Sequence, residues 1–511
     1  MIPQFEDPDS IISILKYYAE RNPEAVAILA SDESPMTYSE LFQAVMGINQ
    51  FLSSQGLRRE DRVALVLPNG IEMVVAFLGI LSHSVVAPLN PAYKHAEFDF
   101  YLTDTRAVAL VADSKADSPA EQVAHEKNMV VHTVLDLTDR GDRVELEHLA
   151  GSWESSSWMP DSEDTAIILH TSGTTSRPKS VPLTHANLIT SARNIAQSLN
   201  LNSGDRCLNV MPLFHVHGMI GALFSTLSVG ASIVCPPGFQ PLKFFTWVNH
   251  FQPTWYTAVP TMHQILLERV EKQSGPLNST KLRFIRSCSA ALPPKLMQEL
   301  EEKFRVPVIE AYGMTEASHQ IACNPLPPGI RKPGSVGLPT GTEIAIMGQD
   351  GTLMERGAIG EIVIRGANLT KGYENNPQAD SESFLRDWFK TGDQGFIDPE
   401  SYLIISGRIK EIINRGGEKI SPREVDEVIL RLDAVSQAVT FPVPHPKLGE
   451  DIAAAVVLKR GQHLDDQELR QHVATLLAKF KVPSRVFFVD EIPKGPTGKI
   501  QRTTLWESIE H

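Results

Sequence analysis

The chain has 511 residues, more than one compact core usually holds, so two or more packed units are expected. Apolar residues make up 42% and charged residues 21%, which excludes a mostly disordered chain; 61 acidic against 47 basic residues, a net charge of −14, exclude a general nucleic-acid binder while leaving room for a local basic pocket for a small anion. Cys207, Cys235, Cys288 and Cys323 lie tens of residues apart with no CxxC pair and no zinc spacing, so buried, reduced thiols in a cytoplasmic protein are expected.

The N-terminus, MIPQFEDPDS, is acidic where a signal peptide is basic. Thr37 and Glu40 form a capping box, and Leu41, Val45, Ile48 and Leu52 recur on one helical face that ends at Gly56. Residues 62–67 read as a strand stopped by Pro68, Asn69 and Gly70, and 107–112 and 166–169 are further short apolar strands. Strands separated by helices imply a largely parallel α/β sheet. The uncharged stretch 218–237 is rich in Gly, Ser and Thr and reads as buried core rather than a membrane span, so no stable membrane insertion is expected. From about Gly341 the pattern changes to strands at 343–347, 361–365 and 402–405 broken by turns such as Asp350-Gly351, which suggests an antiparallel or barrel-like subdomain. Beyond a boundary near 407–410, Ser421, Pro422 and Glu424 supply an N-cap, a first-turn proline and a capping box, with Val425, Val428, Ile429 and Leu432 on one face. The last hundred residues read as a small α+β domain. The final residues 509–511 are not a peroxisomal address, and the chain has no internal repeat.

The sharpest chemical signal is HTSGTTSRPK at 170–179, which follows the strand ending at Leu169. Hydroxyls, a glycine and two cations at a strand end make a phosphate cradle, with backbone N–H groups and hydroxyls as donors and Lys179 as charge. A P-loop is the rival, but Pro178 replaces its second glycine and Val181-Pro182 does not start a helix.

This segment resembles the phosphate-binding signature of the adenylate-forming superfamily, and four more motifs similar to that family's follow in order. They are YGMTE at 312–316, TGD at 391–393, GRIKE at 407–411 continued by GGEKISP at 416–422, and PKGPTGK at 493–499. The resemblance implies an α/β fold: a large N-terminal AMP-binding domain, residues 1–409, of two α/β subdomains plus a β-barrel-like subdomain, and a small mobile α+β lid, residues 410–511. It implies an AMP-forming ligase that converts a carboxylate to an acyl-adenylate with ATP and magnesium, then passes the acyl group to a thiol.

By the same resemblance Thr171, Ser172, Gly173, Thr174, Thr175 and Lys179 would hold the β- and γ-phosphates, Thr315 the α-phosphate, and Glu316 the magnesium ion. Ser289, Ala290 and Ala291 on one side and Glu310, Ala311, Tyr312 and Gly313 on the other would flank the adenine, with Asp393 and Arg408 at the ribose. Lys499 would bridge the carboxylate and the α-phosphate, Lys410 would be the pivot, and Gly416, Gly417, Glu418 and Lys419 would meet coenzyme A. One position departs from the family: Ser180 stands where a glycine is usual, and it would be strained if the site needs φ > 0. Because the sequence ends soon after Lys499 without a carrier domain, a diffusible thiol, coenzyme A, is the expected acceptor.

The acid is read from three segments, PLFHVHG at 212–218, SCSAA at 287–291 and ASHQ at 317–320. They offer His215, Ser289 and His319, which suit a short polar diacid whose carboxylate would favour a protonated histidine. Their wording, with NPLPPG at 324–329 and KPGSVG at 332–337, resembles the oxalyl-CoA synthetase branch. Medium-chain and aryl acids are the alternatives if the histidines only pack or bind nucleotide. A non-catalytic nucleotide-binding relative is the alternative of another class.

Overall fold

The computed structural model describes residues 10–30, 34–113, 118–133, 159–171, 178–270, 280–493, 502 and 505–509. Two α/β layers come first, as expected. A six-stranded sheet runs in the order Val130–Thr133, Ala109–Ala112, Arg62–Val66, Val85–Pro88, Thr165–His170, Ser180–Thr184, parallel until its last, antiparallel pair. A nine-stranded sheet has a parallel centre, Val308–Met314, Phe284–Ser287, Trp255–Ala258, Arg206–Asn209, Ser232–Val234 and Val26–Leu29, with antiparallel strands at its edges. In such sheets ligands settle beyond the carboxyl ends of the strands, and Ser289 and Thr315 lie just past two of those ends.

Local signals explain the helices. The Thr37 capping box forms as read: the Glu40 N–H donates to Thr37 Oγ1 at 3.2 Å and the Thr37 N–H to Glu40 Oε2 at 2.8 Å. The helix Tyr38–Ser54 buries Leu41, Val45, Ile48 and Leu52. Residues 217–236 are all buried, and they open with a wide, π-type turn over His217–Phe224. Among the described residues no helix is long and apolar enough to cross a membrane, and all four cysteines are buried and free.

The third layer is an all-antiparallel five-stranded sheet spanning Glu343–Met347 to Leu403–Arg408. A fourth sheet begins at Ile413–Arg415 and has its own core of Ile413, Ile420, Val425, Ile429, Ile452 and Val473. The capping box expected at Ser421 does not form. Pro422 does open the helix Pro422–Ile429, but the Ser421 hydroxyl donates to the Ser406 carbonyl and Glu424 is held by Lys481 at 2.6 and 2.7 Å. Tertiary partners outcompeted a locally adequate cap.

Arg502 ties this unit together. Its guanidinium sits 2.7 Å from Asp426 and 3.4 Å from Glu411, and donates to the Thr440 carbonyl at 2.8 Å. Burial raises both carboxyls and Arg502 draws them back down. Arg502→Met would leave the buried Asp426 carboxylate facing the half-buried Glu411 carboxylate, and removing one partner of such a cluster costs about 3–5 kcal/mol. Urea denaturation of the variant should show a loss of that order; a loss under about 1 kcal/mol, the scale of exposed pairs, would contradict the assignment.

Candidate active site

The antiparallel strands Thr165–His170 and Ser180–Thr184 flank the phosphate-cradle sequence, and beside them the Thr171 N–H donates to the Lys179 carbonyl at 3.0 Å. A strand, not a helix, follows Lys179, which removes the P-loop reading. Ser172, Gly173, Thr174 and Thr175 lie outside the described residues, as does Lys499. Ser180 is in extended strand backbone, so the strain foreseen for it is absent. Its hydroxyl donates to Asp104 Oδ2 at 2.7 Å and lies 3.0 Å from His170 Nε2, which itself meets Asp104 at 3.0 Å. A glycine there could not make this clasp between hairpin and helix His95–Asp104.

Lys179 lies 4.3 Å over the Tyr373 ring, and the Tyr373 hydroxyl donates to Glu316 Oε1 at 2.8 Å. Burial raises the Glu316 carboxyl; the Tyr373 hydroxyl and the charges of Arg408 and Lys179 oppose that rise. Next to this group the Tyr312 hydroxyl donates to Asp393 Oδ2 at 2.5 Å and Arg408 Nε to Asp393 Oδ1 at 3.2 Å. Thr315, His215 and His170 line one small cavity at the same end of the sheets. The structure therefore gathers Lys179, Thr315, Glu316, Tyr312, Asp393 and Arg408 in one polar region, although they are scattered over 230 positions of sequence (179 to 408). Tyr373 was not singled out from sequence.

Among the described residues no cluster of three or more His, Cys, Asp or Glu could hold a metal ion by itself. Glu316 is nevertheless a suitable donor: a hard carboxylate beside the hairpin fits a magnesium ion that arrives on nucleotide phosphates and needs one or two protein oxygens.

Other expected residues have different surroundings. Ala290 and Ala291 are exposed, whereas Glu310 and Ala311 are buried. The Glu310 side chain is turned inward, accepting from the Leu292 N–H at 2.9 Å with its other oxygen unpartnered. Gly313 has a steric reason: a Cβ there would stand 1.6 Å from the His319 carbonyl oxygen, across the hairpin to His319–Cys323. Lys410 lies in an exposed turn, Ile409–Glu411. Gly416 and Gly417 take φ of +60° and +101° in the turn that exposes Glu418 and Lys419.

The histidine pocket is the largest departure. His217, passed over in favour of His215, is the histidine that meets Ser289, Nδ1 to Oγ at 3.0 Å; its Nε2 is 2.6 Å from Thr257 Oγ1. His319 stacks on His217 with ring centres 5.2 Å apart and 21° between planes. Beneath both lies Arg286, 0% exposed, with Nη1 3.4 Å from Thr257 Oγ1 and Nη2 2.9 Å from His319 Nε2 and 2.8 Å from Gln320 Oε1. Burial and this cation hold His217 and His319 well below the ordinary imidazole range, so with no acid bound both rings are neutral near pH 7. The signal available in sequence was one arginine inside the apolar strand Phe284–Ser287.

With this geometry in hand, likeness to known proteins is extensive. The AMP-binding enzyme family matches residues 15–374, and the AMP-binding enzyme C-terminal domain matches 424–499. An oxalate–CoA ligase of Arabidopsis thaliana is 43% identical, covering 97% of this chain and 98% of its own. An oxalate–CoA ligase of Saccharomyces cerevisiae is 42% identical over 88% and 87%. The crystal structure of ATP-bound MatB from Rhodopseudomonas palustris superposes with a TM-score of 0.88 at 30% identity, covering 98% of this chain and 99% of that one.

The Glu310 carboxyl is pushed up to about 7 by burial. A carboxyl raised in the folded state adds stability below its unfolded pKa, and that stability is lost as pH rises through the folded value. The window is about pH 4.3 to 7; the full swing is roughly 4 kcal/mol, and the part of it above pH 5 is roughly 3 kcal/mol. Glu310→Gln should therefore flatten the stability profile, gaining about that much on the wild type between pH 5 and pH 8.5 in urea melts. Parallel profiles would remove Glu310 as the titrating group.

Proposed function

The chain belongs to the AMP-binding enzyme family, and from that membership we propose that it is an ATP-dependent, AMP-forming carboxylate–CoA ligase whose acid is oxalate. In the first half-reaction a carboxylate oxygen attacks the α-phosphorus, the bond to pyrophosphate breaks, and oxalyl-AMP forms. In the second, the coenzyme A sulfur attacks the acyl carbon and AMP leaves with the electron pair of the broken C–O bond. A carboxylate is a poor electrophile, and adenylation supplies the leaving group it lacks.

The observation that carries the choice of acid is the floor of the pocket. Ser289, His217 and His319 converge over Arg286, a buried cation that no carboxylate pairs among the described residues. An apolar tunnel for a fatty or aryl acid would not place a guanidinium and two imidazoles there, because their desolvation goes uncompensated. A short diacid brings the missing anion.

In this reading Ser289 and His319 receive the far carboxylate, and His215, in the cavity with Thr315, lies where the reacting carboxylate meets the α-phosphate. Thr171, Lys179 and the residues between them, Ser172, Gly173, Thr174 and Thr175 included, donate to the β- and γ-phosphates. Thr315 donates to the α-phosphate, Asp393 accepts from the ribose hydroxyls, and Arg408 holds Asp393 in place by donating to its Oδ1. Ala290, Ala291, Ala311 and Tyr312 bound the adenine. Glu316, steadied by Tyr373, holds the magnesium ion, which when bound neutralises phosphate charge. Lys499 enters for adenylation; a lid pivoting at Lys410 then brings Gly416, Gly417, Glu418 and Lys419 to the thiol. A cytoplasmic location agrees with four free, buried cysteines.

Pyrophosphate release with ATP, magnesium and coenzyme A should be faster with oxalate than with acetate, hexanoate or 4-coumarate. Preference for hexanoate or 4-coumarate would return the histidines to packing or nucleotide roles. Lys499→Ala should lower acyl-AMP formation by about 10²–10³-fold, the scale for removing a positioned charge from a developing oxyanion. It should still convert supplied oxalyl-AMP and coenzyme A to the thioester; equal loss in both half-reactions would refute the alternating lid.

A further inference from the structure

Arginine donates and never accepts, so every hydrogen bond of Arg286 has a known direction. His319 Nε2, 2.9 Å from Arg286 Nη2, must be the bare acceptor nitrogen, and the proton of the neutral ring sits on Nδ1. That Nδ1–H carries no hydrogen bond among the described residues. The second branch runs through Thr257. Its hydroxyl oxygen faces Arg286 Nη1 at 3.4 Å and His217 Nε2 at 2.6 Å. Arg286 can only donate, and Thr257 is fully buried, so its hydroxyl proton points at His217 Nε2. The His217 proton is then on Nδ1 and donates to Ser289 Oγ at 3.0 Å, which leaves the Ser289 hydroxyl proton to point outward from an exposed residue.

Both branches start at one guanidinium and end in a donor. The free tautomer of histidine in water favours Nε2–H, so two stacked Nδ1–H rings are a set arrangement rather than a default. The backbone holds it as well. His319 sits at φ +98°, a region few side chains occupy. A Cβ at Gly221 would stand 2.5 Å from His319 Nε2, so only glycine lets the His217–Phe224 turn press the ring onto Arg286. The Nε of Arg286 has no partner, and no carboxylate pairs with the guanidinium among the described residues. A charge kept in that state is costly unless a ligand compensates it.

We propose that Arg286 is the positioning residue for acid specificity: by donating into both branches it fixes two outward hydrogens, on Ser289 and on His319, and so makes the pocket a receptor for an acceptor-only group, the second carboxylate of the acid. The proposal rests on the oxalate reading for the identity of that group, but the direction of the two branches does not depend on it. A hydroxyl or amide in the same place would leave its own donor unmatched, and a methyl would leave both pocket donors unpaired.

The test joins a spectroscopic and a kinetic arm on the full chain. With ¹⁵N-labelled histidine, His217 and His319, assigned from His217→Asn and His319→Asn, should both show a bare Nε2 and a protonated Nδ1 at pH 7. An Nε2–H form at His319 in the wild type would overturn the proposal without any reference to substrate. Arg286→Met, which removes a buried unpaired charge, should fold and let the Nε2–H form appear at His319. Its KM for oxalate should rise about 10–100-fold while its KM for ATP moves less than about twofold, so that preference for oxalate over acetate falls by roughly 10²-fold. Arg286→Lys, with charge but no fork, should recover only part of that preference. An unchanged oxalate-to-acetate ratio in Arg286→Met would sink the proposal and leave the oxalate reading standing. A wild type indifferent to oxalate would sink the reading while the tautomers still decided the branches.

Discussion

A guanidinium buried with no carboxylate beside it among the described residues is the constraint on which the acid side of this molecule depends. Arg286 stands on the strand Phe284–Ser287, where the two-residue alternation puts Phe284 and Arg286 on one face and Ile285 on the other. The neighbouring strand supplies Thr257, the His217–Phe224 turn supplies His217, and the hairpin strand His319–Cys323 supplies His319 and Gln320. Each element is pinned by packing around an apolar core, so a polar cluster can be held with fixed directions. At Gly221 and Gly313, as at Gly218 in the same turn, that packing leaves no room for a side chain.

The nucleotide side follows a parallel design in which tyrosine hydroxyls set carboxylates. Tyr373 donates to Glu316 and Tyr312 to Asp393, and at Glu316 burial raises the carboxyl while the tyrosine hydroxyl opposes that rise. Lys179 and Arg408 add positive charge to the same region. Triphosphate chemistry concentrates negative charge, and a region where cations and oriented hydroxyls outnumber free carboxylates lowers the cost of gathering it. The net charge of −14 belongs to the whole chain and does not exclude local cations such as Lys179 and Arg408 at this site.

What could be read in advance was what is local in sequence. The Thr37 capping box, the strands at 62–67 and 343–347, and the α/β class all rest on contacts within a few residues. The family and its reaction were legible because five motifs fall in order. What could not be read was the partner of each side chain. Ser421 has the right neighbours for a cap and is taken by Ser406, 15 residues earlier. Tyr373 reaches Glu316 across 57 residues, and Arg286 reaches His319 across 33. His215 and His217 stand two apart in the same motif, and only the start of the helical turn at His217 decides which of them meets Ser289. The cation that lowers the His319 ring also lies in another segment, out of reach of any local reading.

The central claim is that the acid's second carboxylate is bound by neutral donors backed by a fixed buried cation. Calorimetric titration of oxalate into the enzyme saturated with a non-hydrolysable ATP analogue, repeated at pH 7 in buffers of different ionisation enthalpy, counts the protons exchanged on binding. The account predicts binding with no net proton uptake, because Arg286 already carries the charge and His319 Nδ1 already carries its hydrogen. Uptake of about one proton per oxalate would show that a histidine charges to meet the anion and would contradict the account.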